Sequence, residues 1–299
     1  MIKNNNFYRI IEETIQKIPK NGNIDDYFKP DKIEREFSIL QKYIDFDKEH
    51  INKLFKKYEK LDRYSDIKPY IHNKIFINTI NKYINASPIN IIKNKYFIAT
   101  QGPLTHTIED FWTMIDEYNC KVIVMICNLK EDGKEKCAFY YDEKFRMNKY
   151  KICIENIIQK DSYIIRIIKL TNLKDKIEKK INQIHITNWP DNFIPNTQNG
   201  EIFNVLIDII LTTERNKGDG PIVSHCSAGI GRTGTFIAIY YLYKEIKDQI
   251  DKKKDLIQFS VFNLVRKLKE MRIAMVQNTI QYKFIIYFVH FILNKYNHD

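Results

Sequence analysis

Two apolar rhythms run along the chain. Over residues 7–18 and 31–58, apolar positions recur at helical spacing among many charges, which predicts surface helices forming an N-terminal extension over residues 1–58. From Arg63 onward β-branched and aromatic runs predict strands over Lys74–Ile77, Tyr96–Ala99, Lys121–Ile126, Lys151–Ile158, Tyr163–Leu170 and Gln183–Thr187. Helical spacing returns over Thr107–Tyr118, Asn199–Arg215, Arg232–Lys247, Ser260–Arg272 and Asn278–Lys295. Early strands in hairpins followed by helices predict an α/β chain of the α+β type, with a mixed sheet and helices packed on it.

Composition alters this picture in a few places. At 299 residues, 44% hydrophobic and 28% charged, the chain is globular in character, which excludes wholesale disorder and collagen-like repeats. Lys and Arg number 48 against 37 Asp and Glu, a net charge of +11 that admits phosphorylated or acidic proteins, nucleic acid or a membrane surface. The lysines are spread evenly, so the charge by itself reads as a solvated basic surface. Five cysteines (Cys120, Cys127, Cys137, Cys153 and Cys226) form no CxxC pair and no metal-ligand spacing, and their odd number argues for a reducing compartment. There is no apolar leader, and no run approaches the ~18 apolar residues of a membrane span. The expectation is a soluble, cytoplasmic protein without a metal or other cofactor. Only nine residues are glycine, about 3% against a typical ~7%. Five of these nine fall between Gly218 and Gly234.

That glycine-rich window reads GPIVSHCSAGIGRTGTFIAIYYL. Pro221–His225 predicts a short buried strand and Arg232 opens an apolar helix. Between them Ser227, Ala228, Gly229, Ile230 and Gly231 form a small-residue loop. Such a loop turns successive backbone N–H groups toward one point, and the helix N-terminus adds partial positive charge. Cys226 at its start faces both, which favours the nucleophilic thiolate. Arg232 at its end offers a planar fork for two phosphoryl oxygens. Thr233 places a hydroxyl within reach of the sulfur. Gly229, Gly231 and Gly234 also spell GxGxxG, but the segment that follows, IKDQIDKKKDL, is too charged for the second strand of a dinucleotide fold. A protease dyad of His225 and Cys226 fails because neighbours on a strand point to opposite faces.

HCSAGIGRTG resembles the signature of the tyrosine-specific protein phosphatases. DRYSDIKPY, KYINASPI, TQGPLTHTIEDFW, EDGKEKC, WPDNFIP and VQNTIQYKF resemble other segments of that family, in the family's order, over residues 60–290. The resemblance implies a single domain over 59–295, a twisted mixed sheet flanked by helices. It implies metal-independent hydrolysis of phosphotyrosine proteins through a phosphocysteine. Asp191 would be the acid that protonates the leaving phenolate, on a mobile loop hinged at Trp189. Gln277 and Gln281 would place the water of the second step. Tyr64 would line a deep pocket and Asp66 would hold the substrate backbone. Glu131 and Lys136 would support the arginine and the acid loop, and His225 would orient the signature loop. A lowered thiol proton affinity would also expose Cys226 to reversible oxidation.

The chain departs from the family pattern at Asp62, Ser65, Phe193 and Tyr141, where the family carries asparagine, often a charge, glycine and tryptophan. A binding module without turnover and a phosphatase of RNA 5′-ends or phosphoserine are the alternatives. The intact Cys226, Asp191, Arg232 and Gln277 argue against the first, and Tyr64 against the second, which leaves nucleic acid the disfavoured partner. The Ile/Lys/Asn bias resembles that of phosphatases from insect-associated viruses. Oligomeric state has no signal in the sequence.

Overall fold

The computed structural model describes residues 14–19, 29–42, 56–92, 95–195 and 201–297. In chain order its main elements are strand β1 (Gln16–Pro19), helix α1 (Pro30–Lys42), strands β2 (Ala86–Ile92) and β3 (Lys95–Thr100), helix α2 (Ile108–Glu117), strands β4 (Val122–Met125), β5 (Tyr150–Gln159), β6 (Tyr163–Asn172) and β7 (Glu178–Ile186), helix α3 (Glu201–Asn216), strand β8 (Ile222–His225), helix α4 (Gly231–Asp251), strand β9 (Leu256–Phe259), helix α5 (Val261–Met271) and helix α6 (Thr279–Asn297).

A seven-stranded sheet in the order β2-β3-β8-β4-β7-β6-β5 forms the centre. Its middle strands β3, β8, β4 and β7 run parallel, while β2 and the β5–β6–β7 hairpins pair antiparallel at the two sides. β4 and β8 are buried at every position, as strands covered on both faces must be. Helix α4 is buried nearly all round, from Phe236 to Tyr243, and so lies inside the fold rather than on it.

Two sequence expectations need correction. The helix expected over residues 7–18 is a strand at its described end: Gln16–Pro19 pairs antiparallel with Leu256–Phe259. Gln16 and Ile18 are buried and Lys17 is exposed, so a pairing partner far along the chain imposed a period of two. Residues 7–13 lie outside the described residues. The helix expected over 31–58 is continuous only through Lys42; residues 43–55 lie outside the described residues and Lys56–Leu61 forms a tight 3-10 turn. β2 escaped the sequence reading because Pro88 sits inside it. A proline fits there because β2 is an edge strand with one ladder to satisfy.

Ile33, Phe37 and Leu40 of α1 are buried in the same core as the sheet, so this helix packs on α5 and α6 as part of the folded body. No described helix is long and apolar enough to cross a membrane. All five cysteines are free.

Candidate active site

The site lies at the carboxyl end of the parallel strands, where β8 hands over to α4. This edge is where open α/β sheets gather their ligands. Gly229 has φ 72°, and a Cβ there would lie 2.1 Å from the carbonyl oxygen of Thr100, so only glycine fits. The turn aims the Gly229 N–H at Cys226 Sγ, 3.3 Å away. The first turn of α4 begins at Gly231 and presents its free N–H groups on the same side. Cys226 is buried.

Arg232 is 1% exposed and forks onto Glu131, with Nη1 donating to Oε1 at 2.7 Å and Nη2 to Oε2 at 3.0 Å. Nη2 also donates to Asp191 Oδ1 at 3.0 Å, and Nη1 to the Trp189 carbonyl at 2.9 Å. Burial opposes its charge, but Cys226 and Glu131 outweigh burial and raise its pKa. Lys136 Nζ meets the other Asp191 oxygen at 2.5 Å. Burial pushes the Asp191 carboxyl up, but the Lys136 hydrogen bond and the Arg232 charge overcome this and hold it below the usual carboxylate range. Trp189 is buried, stacks edge-on against Phe284, and donates Nε1–H to the Phe193 carbonyl at 3.0 Å. Phe193 itself is exposed: the position uses its backbone oxygen, with the side chain in solvent.

Three buried polar atoms around the cradle have no partner among the described residues: Arg232 Nε, Thr233 Oγ1 and Gln281 Nε2. A buried donor without an acceptor costs about 1–3 kcal/mol. Arg232 and Thr233 lie in the first turn of α4 and Gln281 Nε2 stands over Gly231, so the unpartnered atoms gather where the phosphate loop meets the helix. Gln277 and Gln281 converge there too. A Cβ on Gly231 would lie 2.9 Å from an amide atom of each, and the Gln277 N–H donates to Gln281 Oε1 at 2.8 Å. Asn278 Nδ2 donates to the Asn192 carbonyl at 2.8 Å, tying the glutamine loop to the Asp191 loop.

Tyr64 stands half-buried at the wall, its hydroxyl 2.9 Å from Ser227 Oγ, which in turn donates to the Lys136 carbonyl. Asp66 is exposed beside it. His225 is fully buried behind the thiol: Nδ1–H donates to the Cys226 carbonyl at 3.1 Å, while Nε2 accepts from Tyr140 Oη–H at 2.9 Å. Burial lowers its pKa to about 3, so it is neutral and cannot share a charge with Cys226. The unfolded chain holds this proton up to about pH 6.5. Stability from this group is therefore complete above pH 6.5 and is lost as pH falls toward 3, by about 1.4 kcal/mol per unit. Denaturant unfolding at pH 7 and pH 4.5 should show His225→Gln with a shallower loss than wild type. Equal slopes would mean that His225 is protonated in the folded protein.

Sequence reading missed Arg272. It is fully buried and donates from Nε to the Gly229 carbonyl at 2.9 Å and from Nη2 to the Ala228 carbonyl at 3.0 Å. Pulling these carbonyls back turns the adjoining N–H groups toward the sulfur. Arg272 Nη2 also donates to Asn85 Oδ1 at 2.8 Å, and Asn85 Nδ2 donates to Asp62 Oδ1 at 2.8 Å. Asp62 is thus buried scaffold three hydrogen bonds behind the cradle. No local pattern distinguishes Arg272 from a charged residue at a helix end.

The family model for protein-tyrosine phosphatase matches residues 58–290. The chain belongs to the protein-tyrosine phosphatase family. Tyrosine-protein phosphatase 2 of Dictyostelium discoideum is 39% identical over 209 residues, covering 69% of this chain and 53% of that protein. Receptor-type tyrosine-protein phosphatase alpha of Homo sapiens is 34% identical over 287 residues, covering 92% of this chain and 33% of that protein. The chain therefore spans about half or less of the length of these relatives. A solved structure of PTPN18 in complex with HER2 phosphopeptides superposes with a TM-score of 0.73 at 25% identity, over 88% of this chain and 93% of that one. The viral likeness suggested by composition has no counterpart among these relatives. The phosphatase fold accounts for the twisted mixed sheet and its flanking helices.

Proposed function

We propose that this chain hydrolyses phosphotyrosine in proteins by two displacements at Cys226, without a metal. In the first, Cys226 Sγ attacks phosphorus, the phosphorus–phenolate bond breaks, and Asp191 gives its proton to the departing oxygen. Arg232 and the loop N–H groups hold the three non-bridging oxygens, so that most of the catalysis is preorganised charge. In the second, a water placed by Gln277 and Gln281 attacks the phosphocysteine. Asp191 takes the proton, the sulfur–phosphorus bond breaks, and the Thr233 hydroxyl donates to the returning thiolate.

The single observation that carries this reading is the Gly229 N–H aimed at the Cys226 sulfur from 3.3 Å, in a loop closed by the buried Arg232 guanidinium. The wall at Tyr64 supports an aromatic phosphate over a short serine phosphate. Five free cysteines fit a cytoplasmic, reducing setting. The tyrosine-protein phosphatases to which the chain is similar are named for the same substrate.

The test is one comparison: initial rates on a phosphotyrosine peptide, a phosphoserine peptide and an RNA 5′-triphosphate, with Cys226→Ser as the blank. Phosphotyrosine should lead the other two by at least about 100-fold, some 2.7 kcal/mol of differential transition-state binding. Preference for RNA would overturn the substrate. Tight phosphotyrosine binding without turnover would make the chain a binding module.

A further inference from the structure

Val276, the residue before Gln277, has φ 58°. A β-branched residue in the left-handed region is strained, by about 1–3 kcal/mol, and persists only where its surroundings hold it. Two ties hold this one. The Val276 N–H donates to the Ile230 carbonyl at 3.2 Å, on the phosphate loop. The Val276 carbonyl accepts from Lys269 Nζ at 3.2 Å, from α5. Lys269 is 3% exposed, a rare state for a lysine. Its ammonium lies 5.6 Å from the centroid of the Phe37 ring, a cation–π distance. Burial lowers its pKa to about 8, so it remains cationic at pH 7.

Phe37 belongs to α1, outside the residues matched by the family model. Its ring also packs on Tyr282 at 5.6 Å, and Tyr282 donates its hydroxyl proton to Glu36 Oε2 at 2.6 Å. Tyr282 directly follows Gln281. Helix α1 therefore touches the glutamine loop at both ends, through Lys269 before Gln277 and through Tyr282 after Gln281. The nucleophile side has separate braces in Arg272 and Glu131.

We propose that Lys269, covered by Phe37 of α1, is a positioning residue for the second displacement, holding Val276 left-handed and so setting Gln277 and Gln281 over Gly231. This rests on the reading of Gln277 as the residue that places water. Without the lysine, the Val276 peptide relaxes toward an unstrained conformation and carries Gln277 off the phosphocysteine. The first displacement uses Cys226, Asp191 and Arg232, whose own hydrogen bonds and ion pairs run to Gly229, Glu131 and Lys136 and do not include Lys269.

Rapid mixing of the full chain with p-nitrophenyl phosphate at pH 6 separates the two steps. Lys269→Met should lower kcat about tenfold, or roughly 1.4 kcal/mol, and lower KM in parallel, leaving kcat/KM within about twofold. A burst of nitrophenolate approaching one per chain should accompany this, because phosphocysteine accumulates. Glycine adopts the left-handed region freely, so adding Val276→Gly to Lys269→Met should recover most of the loss. Phe37→Leu should move the same quantities in the same direction by a smaller factor.

Gln277→Ala is the reference. If it bursts and Lys269→Met instead loses kcat and kcat/KM together without a burst, the lysine is merely structural and the proposal fails. Absence of a burst in Gln277→Ala would overturn the glutamine's role and leave Lys269 to be judged by its own kcat-against-KM split. If thermal melting shows Lys269→Met unfolded, Phe37→Leu decides: a burst at unchanged kcat/KM supports the proposal and none overturns it.

Discussion

Cys226→Ser should lower turnover of a phosphotyrosine peptide by about 10^5-fold, as removal of a nucleophile that acts within a unit does elsewhere. The Gly229 N–H points at the sulfur from 3.3 Å, and the N-terminus of α4 opens on the same side. A serine hydroxyl in the same place does not ionise near neutral pH, so the donors that help sulfur have no anion to stabilise. Stability should hardly change, since the two side chains differ by one atom and the Gly229 N–H can donate to oxygen as well. Peptide affinity, measured by calorimetry, should persist because Arg232 and the loop amides remain. Residual turnover within tenfold of wild type would mean that another group attacks phosphorus.

Asp191→Ala should lower kcat about 10^3-fold, within the ordinary range for loss of a general acid, while phosphotyrosine binding holds or tightens. The pH dependence carries the sharper test. In the free protein Lys136 and Arg232 hold the Asp191 carboxyl below the usual carboxylate range, so its protonated fraction falls as pH rises. The ratio kcat/KM reads the free protein and should decline with rising pH. A bound phosphate dianion occupies Arg232 and repels the carboxylate, which favours the proton. The falling limb of kcat should therefore lie at higher pH than that of kcat/KM. Both falling limbs should vanish in Asp191→Ala. A limb that survives the substitution belongs to another group, and the acid must then be sought elsewhere.

Much of the fold was legible because its signals are local. The buried β4 and β8 read as short apolar runs, and α4 announced itself by an apolar stretch behind a glycine loop. Elements set by distant partners were not legible. β1 exists because Leu256–Phe259 offers it a ladder, and its own sequence reads equally well as a helix end. β2 contains a proline that only an edge position tolerates.

The candidate site divides along the same line. By itself, the spacing of one segment pointed to the Cys226-to-Arg232 loop, and the resemblance of compact motifs elsewhere pointed to the family and named the residues expected around that loop. The tertiary structure decided what holds those motifs in place. It put Arg272 behind the cradle, closed Glu131 and Asp191 on one guanidinium, made His225 a neutral prop, and ran α1 through Phe37 to Lys269 and a strained Val276. These contacts join residues scores of positions apart and act through burial and hydrogen-bond direction, and neither quantity is written in the spacing of a single stretch of chain.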